Sequence, residues 1–236
     1  MCVVSIAWLA HPRWRLVVAG NRDEYHARPS ASLARWDDIP GVIAGRDLVS
    51  GGTWIGVSEA GRFAVVTNIR NPDGPDIAKL SRGGLVSDWL ATGSVPEHTS
   101  AFNPFNLIIA DAGGLRYFSN RPASICHTLG AGIHGLSNAI ADEHWPRKDR
   151  LDAMMSAWLN GAADDPDGLL DVLVDENSPD REAHPIFIRS PVYGTRCSTI
   201  VAIDHIGNGC IIERTFDADG QVTGETRFGF GVPPRL

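Results

Sequence analysis

The chain has 236 residues, of which 43% are hydrophobic, and this supplies enough apolar material for one sizeable core. Its 21 basic and 28 acidic residues give a net charge of -7, and no run of lysine or arginine is present that could neutralise a string of phosphates. We therefore expect a single domain over residues 1–236 and no nucleic-acid partner.

The cysteines and the first ten residues indicate the cellular setting. The four cysteines are spread along the chain without the close pair spacing of a zinc site, at Cys2, Cys126, Cys197 and Cys210. The apolar start of the chain meets His11 and Pro12 too early for a signal peptide or a membrane span. The sequence thus predicts a cytoplasmic protein with reduced thiols and no membrane span, whose first residues form a strand.

Strands dominate the first half of the chain. Apolar runs at 3–9 and 14–19 predict a hairpin, and the residues at 21–52 show little periodicity and predict a long loop. The remaining elements predicted in this half are a hairpin at 53–57 and 62–67, a helix at 81–90, and strands at 105–110, 115–118 and 124–129.

Two helices and a strand meander are predicted in the second half. Leu151, Met154, Met155, Trp158 and Leu159 recur at helical spacing within 144–159, which makes the methionine pair part of the core. A short helix at 168–174 and strands at 198–203, 209–216 and 222–228 follow. The absence of a regular βαβ alternation favours an α+β architecture of antiparallel sheets covered by helices.

Cys2 is the first candidate for chemistry. Its side chain is small, so the initiator Met1 is of the kind that is removed, which leaves a cysteine with a free α-amino group. The reference pKa of such an amine is about 7.7 to 8.0 and that of a thiol about 8.5, so the amine can accept the thiol proton at little cost. One residue would then supply both nucleophile and base, although a cysteine in a strand is also typical of a core.

Three consecutive charged residues follow the second predicted strand. In an antiparallel hairpin the end of the second strand lies beside the start of the first, so Arg22, Asp23 or Glu24 can approach Cys2. A cation there would favour the thiolate, and a carboxylate would hold the ammonium group or orient an arginine. The spacing leaves open which of the three serves Cys2, and a solvated charge cluster on a turn is the alternative.

Two asparagines and one arginine extend the candidate site. Asn68 and Asn138 each end a short apolar stretch, and asparagine amides are suitable donors to the oxyanion of an acyl-transfer reaction. Arg196 stands at the entry to the C-terminal meander. Turn asparagines and a surface arginine are the ordinary alternatives.

Three further sequence patterns are too incomplete to indicate a cofactor or metal site. The glycine pattern at 130–135 lacks a surrounding βαβ unit, His134 and His144 lack a zinc-binding frame, and Cys126–His127 lacks the second cysteine of a covalent haem motif. We expect no cofactor and no metal site, while non-covalent haem binding stays open.

Several motifs in fixed order resemble one family. The motifs are NRDE at 21–24, GGTWIG at 51–56, TNIR at 67–70, SRG at 81–83, HGLSNA at 134–139 and YGTRCST at 193–199. Together they resemble the NRDE family, whose eukaryotic members are called transport and Golgi organisation protein two. The resemblance extends from Met1 to about Asp204. It implies a connection with haem trafficking or with lipid or acyl-coenzyme A metabolism.

A more distant similarity links the chain to the choloylglycine hydrolase and penicillin V acylase group. It implies a four-layer αββα sandwich of the N-terminal nucleophile hydrolase type, with Cys2 as nucleophile, Asn68 and Asn138 at the oxyanion and Arg196 as the distal arginine. The chain departs from the group's signature at Asn21 and Glu24, which stand where an arginine and an aspartate are expected.

The functional expectation is therefore a cysteine hydrolase that acts on a small amide or thioester through an acyl-enzyme. The alternative is a non-catalytic carrier of haem or an acyl lipid such as acyl-coenzyme A. Either function requires a small-molecule substrate or ligand, and the sequence leaves the oligomeric state open.

Overall fold

The computed structural model describes residues 2–71, 74–95, 97–140, 143–161, 164–178 and 184–232. Within these residues the elements follow the order β1 (Cys2–Trp8), β2 (Trp14–Tyr25), β3 (Ser30–Arg35), β4 (Val42–Asp47), β5 (Ile55–Ser58), β6 (Arg62–Asn68), α1 (Gly83–Thr92), β7 (Phe105–Asp111), β8 (Gly114–Ser119), β9 (Ile125–Leu129), β10 (Gly132–Leu136), α2 (Pro146–Leu159), α3 (Leu169–Leu173), β11 (Tyr193–Asp204), β12 (Asn208–Phe216) and β13 (Val222–Gly231).

These strands form two antiparallel sheets. The first has six strands in the order β10-β1-β2-β11-β12-β13, and the second has seven strands, β3 to β9, in chain order. The first sheet places the N-terminal hairpin at its centre, so that β1 pairs with β10 on one side and β2 pairs with β11 on the other. The start of β1 is consequently surrounded by chain segments that are far apart in sequence.

Alternation along β1 and β2 divides the apolar residues between two layers. Val4, Ile6 and Val18 face the second sheet and belong to the core between the sheets. Val3 and Val17 point the other way and pack in a core with α2 and α3. The outer face of the second sheet packs against α1. The result is a four-layer αββα sandwich, as the sequence and its resemblance predict.

The prediction of a long loop at 21–52 is wrong. Strand β2 continues to Tyr25, and β3 and β4 follow it. β3 was missed because it is an edge strand that buries only Leu33 among its six residues, so it lacks a clear apolar alternation. β10 was missed for a similar reason, since it is a short, partly buried edge strand rich in glycine.

The other predicted elements are present, with ends that shift by a few residues. Met155 is buried in the core beneath α2 and Met154 packs against that core, which confirms the assignment of the methionine pair. All four cysteines are free. In the part of the chain that the structure describes, no helix is both long enough and apolar enough to cross a membrane.

Candidate active site

The start of β1 places Cys2 directly opposite Arg22 of β2. Side chains alternate along β2, so Arg22 and Glu24 share the face of Cys2, whereas Asn21 and Asp23 face the helices. The four consecutive polar residues of the 21–24 motif therefore separate into two pairs with different surroundings.

A cleft of about 1200 Å³ opens above Cys2 at this end of the sandwich. Its walls come from β2, from the segment that follows β6, from the start of α1 and from the start of α2. The sequence-predicted residues that line it are Cys2, Arg22, Asp23, Glu24, Asn68 and Asn138. Residues that span 136 positions of sequence are thus gathered in one cleft.

Asn138 contacts Cys2 directly. Its Oδ1 accepts a hydrogen bond of 2.9 Å from the main-chain nitrogen of Cys2, and its Nδ2 donates one of 2.6 Å to the carbonyl oxygen of Asn68. The second contact fixes the orientation of the amide, because a carbonyl oxygen can only accept. Asn138 thus holds the nitrogen that would become the α-amine, and one of its two N–H donors is already used.

Asn68 ends β6 and extends an exposed side chain into the cleft. Among the described residues its side-chain amide has no hydrogen-bond partner, so the amide can donate to a ligand. The two asparagines, assigned the same role on sequence grounds, therefore lie in different environments: the Asn138 amide is held by two protein contacts, whereas the Asn68 amide has none among the described residues.

Asp23 lies on the other face of the strand in a buried ion pair. Arg147 Nη1 approaches Asp23 Oδ2 at 2.5 Å, and the two side chains are 3% and 0% exposed. Thr195 donates to the other carboxylate oxygen at 2.7 Å. The Arg147 Nη2 group also donates to the carbonyl oxygen of Ile186 at 2.6 Å. Asp23 thereby ties the end of β2 to α2 and β11.

The charges on the cleft side form a separate group of two cations and two carboxylates. The Asp47 carboxylate lies 2.6 Å from Arg28 Nε and 3.4 Å from Arg22 Nη2. Glu24 lies 3.8 Å from Arg22 and 3.9 Å from Arg28. Burial is the largest single influence on the pKa of the Asp47 carboxyl group and raises it. The hydrogen bonds from Arg28 and from the backbone N–H groups of Ser50 and Val49 together outweigh burial and hold this pKa below its usual value. This group is balanced in formal charge.

Arg196 does not line the cleft. It occupies a β-bulge in the pairing of β11 with β2, and its Nη1 donates to the carbonyl oxygens of Tyr25, His26 and Arg28 at 3.1 Å each. It lines a neighbouring cavity of about 170 Å³ instead. Its contacts are those of a residue that shapes the loop after β2.

The thiol of Cys2 differs from the expectation of a depressed pKa. Burial is the largest influence and raises the pKa of the Cys2 thiol, and Asp23 adds to the increase, while the N-terminal ammonium group and Arg22 act in the opposite direction. The charge of Arg22 is shared with two carboxylates and does not outweigh the loss of solvation. In the chain in which Met1 precedes Cys2, burial therefore outweighs the neighbouring cations, and a lowered pKa for Cys2 as the first residue stays a prediction.

Three residues with clear roles in this region were not found by sequence reasoning. Asn21 donates from Nδ2 to the carbonyl oxygens of Leu173 and Ile186 and so joins β2 to the helical layer. Arg147 neutralises Asp23, and its signal, an arginine in the first turn of a helix, is too common to be informative. Arg82 lies in the SRG motif at 81–83 and lines the cleft.

No group of three or more histidine, cysteine, aspartate or glutamate side chains among the described residues is arranged to hold a metal ion. The described side chains that line the cleft include a thiol, amides, carboxylates and cations.

Comparison with known proteins gives consistent results. The family model of Transport and Golgi organisation 2 matches residues 1–218. Transport and Golgi organization protein 2 homolog of Homo sapiens is 29% identical over 91% of this chain and 93% of its own length. The homolog of Mus musculus is 30% identical over 91% of this chain and 93% of its own length, and the Drosophila melanogaster protein is 23% identical over 91% and 92%.

Among solved structures, the Caenorhabditis elegans ortholog of N-acylethanolamine-hydrolyzing acid amidase superposes with a TM-score of 0.55. It is 14% identical, and the superposition covers 84% of this chain and 92% of that chain. At this identity the similarity establishes the N-terminal nucleophile hydrolase-like fold.

Proposed function

The chain belongs to the Transport and Golgi organisation 2 family, and we propose that it is an N-terminal cysteine hydrolase that cleaves a small amide or thioester through an acyl-enzyme. The single observation that carries the proposal is the 2.9 Å hydrogen bond from the Cys2 nitrogen to Asn138 at the base of the cleft. This hydrogen bond fixes the position of the prospective base, which lies on the same residue as the prospective nucleophile.

Removal of Met1 converts the Cys2 nitrogen from an amide into an α-amine. The neutral amine accepts the proton of the thiol, and the resulting thiolate attacks the acyl carbon of the substrate. Asn138 Oδ1 accepts a hydrogen bond from one N–H of this amine, so the lone pair of the amine nitrogen can be directed towards the sulfur. The new ammonium group also acts on the thiolate at the shortest possible distance and opposes the effect of burial.

The negative charge that develops on the substrate oxygen requires a donor in the cleft. Asn68 is suited to this role because its amide points into the cleft and is not used elsewhere in the described chain. Asn138 is less suited, because Cys2 N–H occupies its Oδ1 and the Asn68 carbonyl oxygen occupies one of its two N–H donors. We therefore assign the oxyanion to Asn68 and the orientation of the amine to Asn138.

Collapse of the tetrahedral intermediate breaks the bond to the leaving amine or thiol, which takes the proton from the Cys2 ammonium group. The acyl group stays on the Cys2 sulfur. Water then attacks this thioester with the Cys2 amine as base, and the carboxylic acid and free thiol are regenerated. Over the whole cycle, the thiol proton departs with the leaving group, and a proton of the attacking water, passed through the same amine, restores the thiol.

The substrate class follows from the cleft and from the fold neighbour. Apolar side chains that include Val66, Ile69 and Pro104 share the lining with the polar groups, so an acyl chain can be accommodated. The fold neighbour is named as hydrolysing N-acylethanolamines, which are amides of this general type. A fatty acyl amide is accordingly the first substrate to try.

The test compares a fused and a released N-terminus in the same chain. A ubiquitin-like fusion partner is joined directly to Cys2, and its protease then leaves Cys2 as the first residue. The released protein should cleave members of a panel of acyl amides and acyl thioesters, whereas the fused protein and released Cys2→Ala should not. Turnover that is equal before and after release, or that survives in Cys2→Ala, rules the mechanism out.

A carrier of haem or an acyl lipid is the second candidate, favoured by the size of the cleft, about 1200 Å³. Two apolar side chains at its rim, Ile77 and Leu80, are 100% and 58% exposed. A carrier would bind its ligand with an affinity that Cys2→Ala leaves unchanged, and it would cleave no member of the panel. Calorimetry with the released protein separates the two candidates.

A further inference from the structure

The cleft holds more positive charge than its carboxylates balance. Arg22 and Arg28 share Asp47 and Glu24, and Arg147 is paired with Asp23. The remaining basic residues of the lining are Arg70, Lys79 and Arg82, for which the described residues provide no carboxylate within ion-pair distance, and the exposed His184.

Arg82 differs from the two other unpaired cations in its surroundings. The Arg70 and Lys79 side chains are exposed, so solvent and salt screen their charges. Arg82 is half-buried, and among the described residues its guanidinium group donates only to the carbonyl oxygen of Pro104, from Nη1 at 3.3 Å. Burial lowers the pKa of Arg82, and the charges of Cys2 and Glu24 partly offset this effect. An unpaired, partly desolvated cation is costly to keep and commonly marks a functional site.

Close backbone packing fixes the position of Arg82. The residue immediately precedes α1, and its neighbour Gly83 lies against Gly52 so closely that a Cβ on Gly52 would be 2.4 Å from the Gly83 carbonyl carbon. Thr53 N–H donates to the Gly83 carbonyl oxygen at 3.3 Å. The two glycines let the start of α1 approach the segment before β5, and this brings Arg82 to the wall of the cleft.

We propose that Arg82 is the electrostatic partner of Cys2, a cation supplied from the second sheet's helical layer that stabilises the thiolate across the cleft. This inference deepens the proposed function, on which its catalytic meaning rests. It gives the SRG motif at 81–83 a physical role. Arg82 adds to the field of Arg22, whose charge is already shared between two carboxylates.

The ionisation of Cys2 then has a defined balance. The thiol proton moves to the neutral α-amine, and the products are an ammonium group and a thiolate on the same residue. Arg82 interacts favourably with the thiolate and unfavourably with the ammonium group. The proposal requires the attraction of Arg82 to the thiolate to exceed its repulsion of the ammonium group, and the pH dependence of Cys2 alkylation measures this balance.

The experiment measures the pH dependence of iodoacetamide alkylation at Cys2, read by mass spectrometry of the Cys2 peptide, in released protein. Arg82→Gln should raise the apparent pKa of Cys2 by about one unit and slow alkylation at pH 7 by about tenfold, since an opposite charge nearby shifts a pKa by this order. Arg82→Lys should restore most of the rate. The control Lys79→Gln should leave the apparent pKa unchanged.

Folding is checked separately, because the loss of an arginine can disturb the start of α1. Arg82→Met, which keeps an apolar stem against the wall, is the second variant, and a melting temperature within a few degrees of the wild-type value qualifies either one. An apparent pKa of Cys2 that stays the same in a folded Arg82→Gln or Arg82→Met protein overturns the inference. Alkylation needs no turnover, so this outcome is distinct from a failure to cleave any acyl substrate.

Discussion

Asp23 and Arg147 form an ion pair that is closed to solvent, with 2.5 Å between Nη1 and Oδ2. The pair joins the end of β2 to the start of α2, across 124 positions of sequence. The same carboxylate accepts a hydrogen bond from Thr195, so three elements converge on one side chain beneath Cys2. We infer that this ion pair fixes the position and orientation of the end of β2, which lies opposite Cys2.

Removal of Arg147 should therefore be costly. Arg147→Met leaves the Asp23 carboxylate buried without its cation, and the free energy of unfolding should fall by about 3 to 5 kcal/mol. Urea unfolding measures the change. The matched control is Arg189→Met. Arg189 pairs with Glu176, whose side chain is 47% exposed, so this substitution should change the free energy of unfolding by less than about 1 kcal/mol. Equal effects of the two substitutions would contradict the structural role of the buried pair.

The two asparagines should separate in their effects on turnover and on thiol reactivity. Asn68→Ala should lower kcat by roughly a hundredfold or more, the loss typical of an oxyanion donor, while alkylation of Cys2 proceeds at the wild-type rate. Asn138→Ala should change both, because it releases the nitrogen of Cys2. Steady-state kinetics and alkylation rates on the same preparations test this. If Asn68→Ala slowed alkylation as strongly as it slowed turnover, a structural role would replace the assignment to the oxyanion.

The hairpin that carries Cys2 could be predicted from the sequence because two apolar runs, at 3–9 and 14–19, are separated by a short turn. That pattern implies the proximity of Cys2 and Arg22, which the pairing of β1 with β2 shows. The approach of Asn68 and Asn138 to the same point followed from the family resemblance and not from spacing, since β6 and β10 lie in different sheets.

Other parts of the site depend on tertiary packing that no local pattern encodes. The ion-pair partner of Asp23 lies on a helix more than a hundred residues later, and no local pattern indicates that contact. The prediction of a loop from residue 21 also hid the strand alternation that separates Asp23 from Arg22 and Glu24. The use of Arg196 to bind three carbonyl oxygens depends on a bulge in β11. The burial that raises the pKa of the Cys2 thiol follows from the position of Cys2 at the base of the cleft, which segments distant in sequence surround.

Glu213 should make stability depend on pH. It is buried between the sheets, where its Oε1 accepts the Leu33 N–H at 2.7 Å, and burial raises the pKa of its carboxyl group above the usual value of 4.5. The folded state therefore binds the proton more tightly than the unfolded state, so this contribution to stability is full below about pH 4.5 and is lost as the pH rises through the folded-state pKa.

Replacement of Glu213 by glutamine should remove this dependence. Glu213→Gln keeps an oxygen acceptor for Leu33 and should raise the melting temperature at pH 8 more than at pH 4. Calorimetric melts across this range measure it. The control is Glu225→Gln. The Glu225 side chain is 43% exposed beside Arg214, so this substitution should change the melting temperature little at either pH. A stabilisation by Glu213→Gln that is the same at both pH values would show that the carboxyl group does not titrate differently on folding.

Removal of Met1 should activate the thiol that burial suppresses. Protein isolated from cells should have an intact mass lower by one methionine, because the proposed base exists only when Cys2 is the first residue. In the chain that retains Met1, burial raises the pKa of Cys2, whereas the α-ammonium of the processed chain lies next to the sulfur and should lower it. Alkylation of Cys2 near neutral pH should thus be faster in the released protein than in the fused protein.

Two other cysteines provide internal standards in the same sample. Cys126 is exposed and should react at one rate in both forms. Cys197 should stay unreactive in both, because burial and the neighbouring Glu213 raise the pKa of its thiol well above the usual value. Quantitative retention of Met1 in cell-derived protein, or a Cys2 rate that release leaves unchanged relative to Cys126, would show that the residue does not act as its own base, and the carrier would then become the better description of the protein.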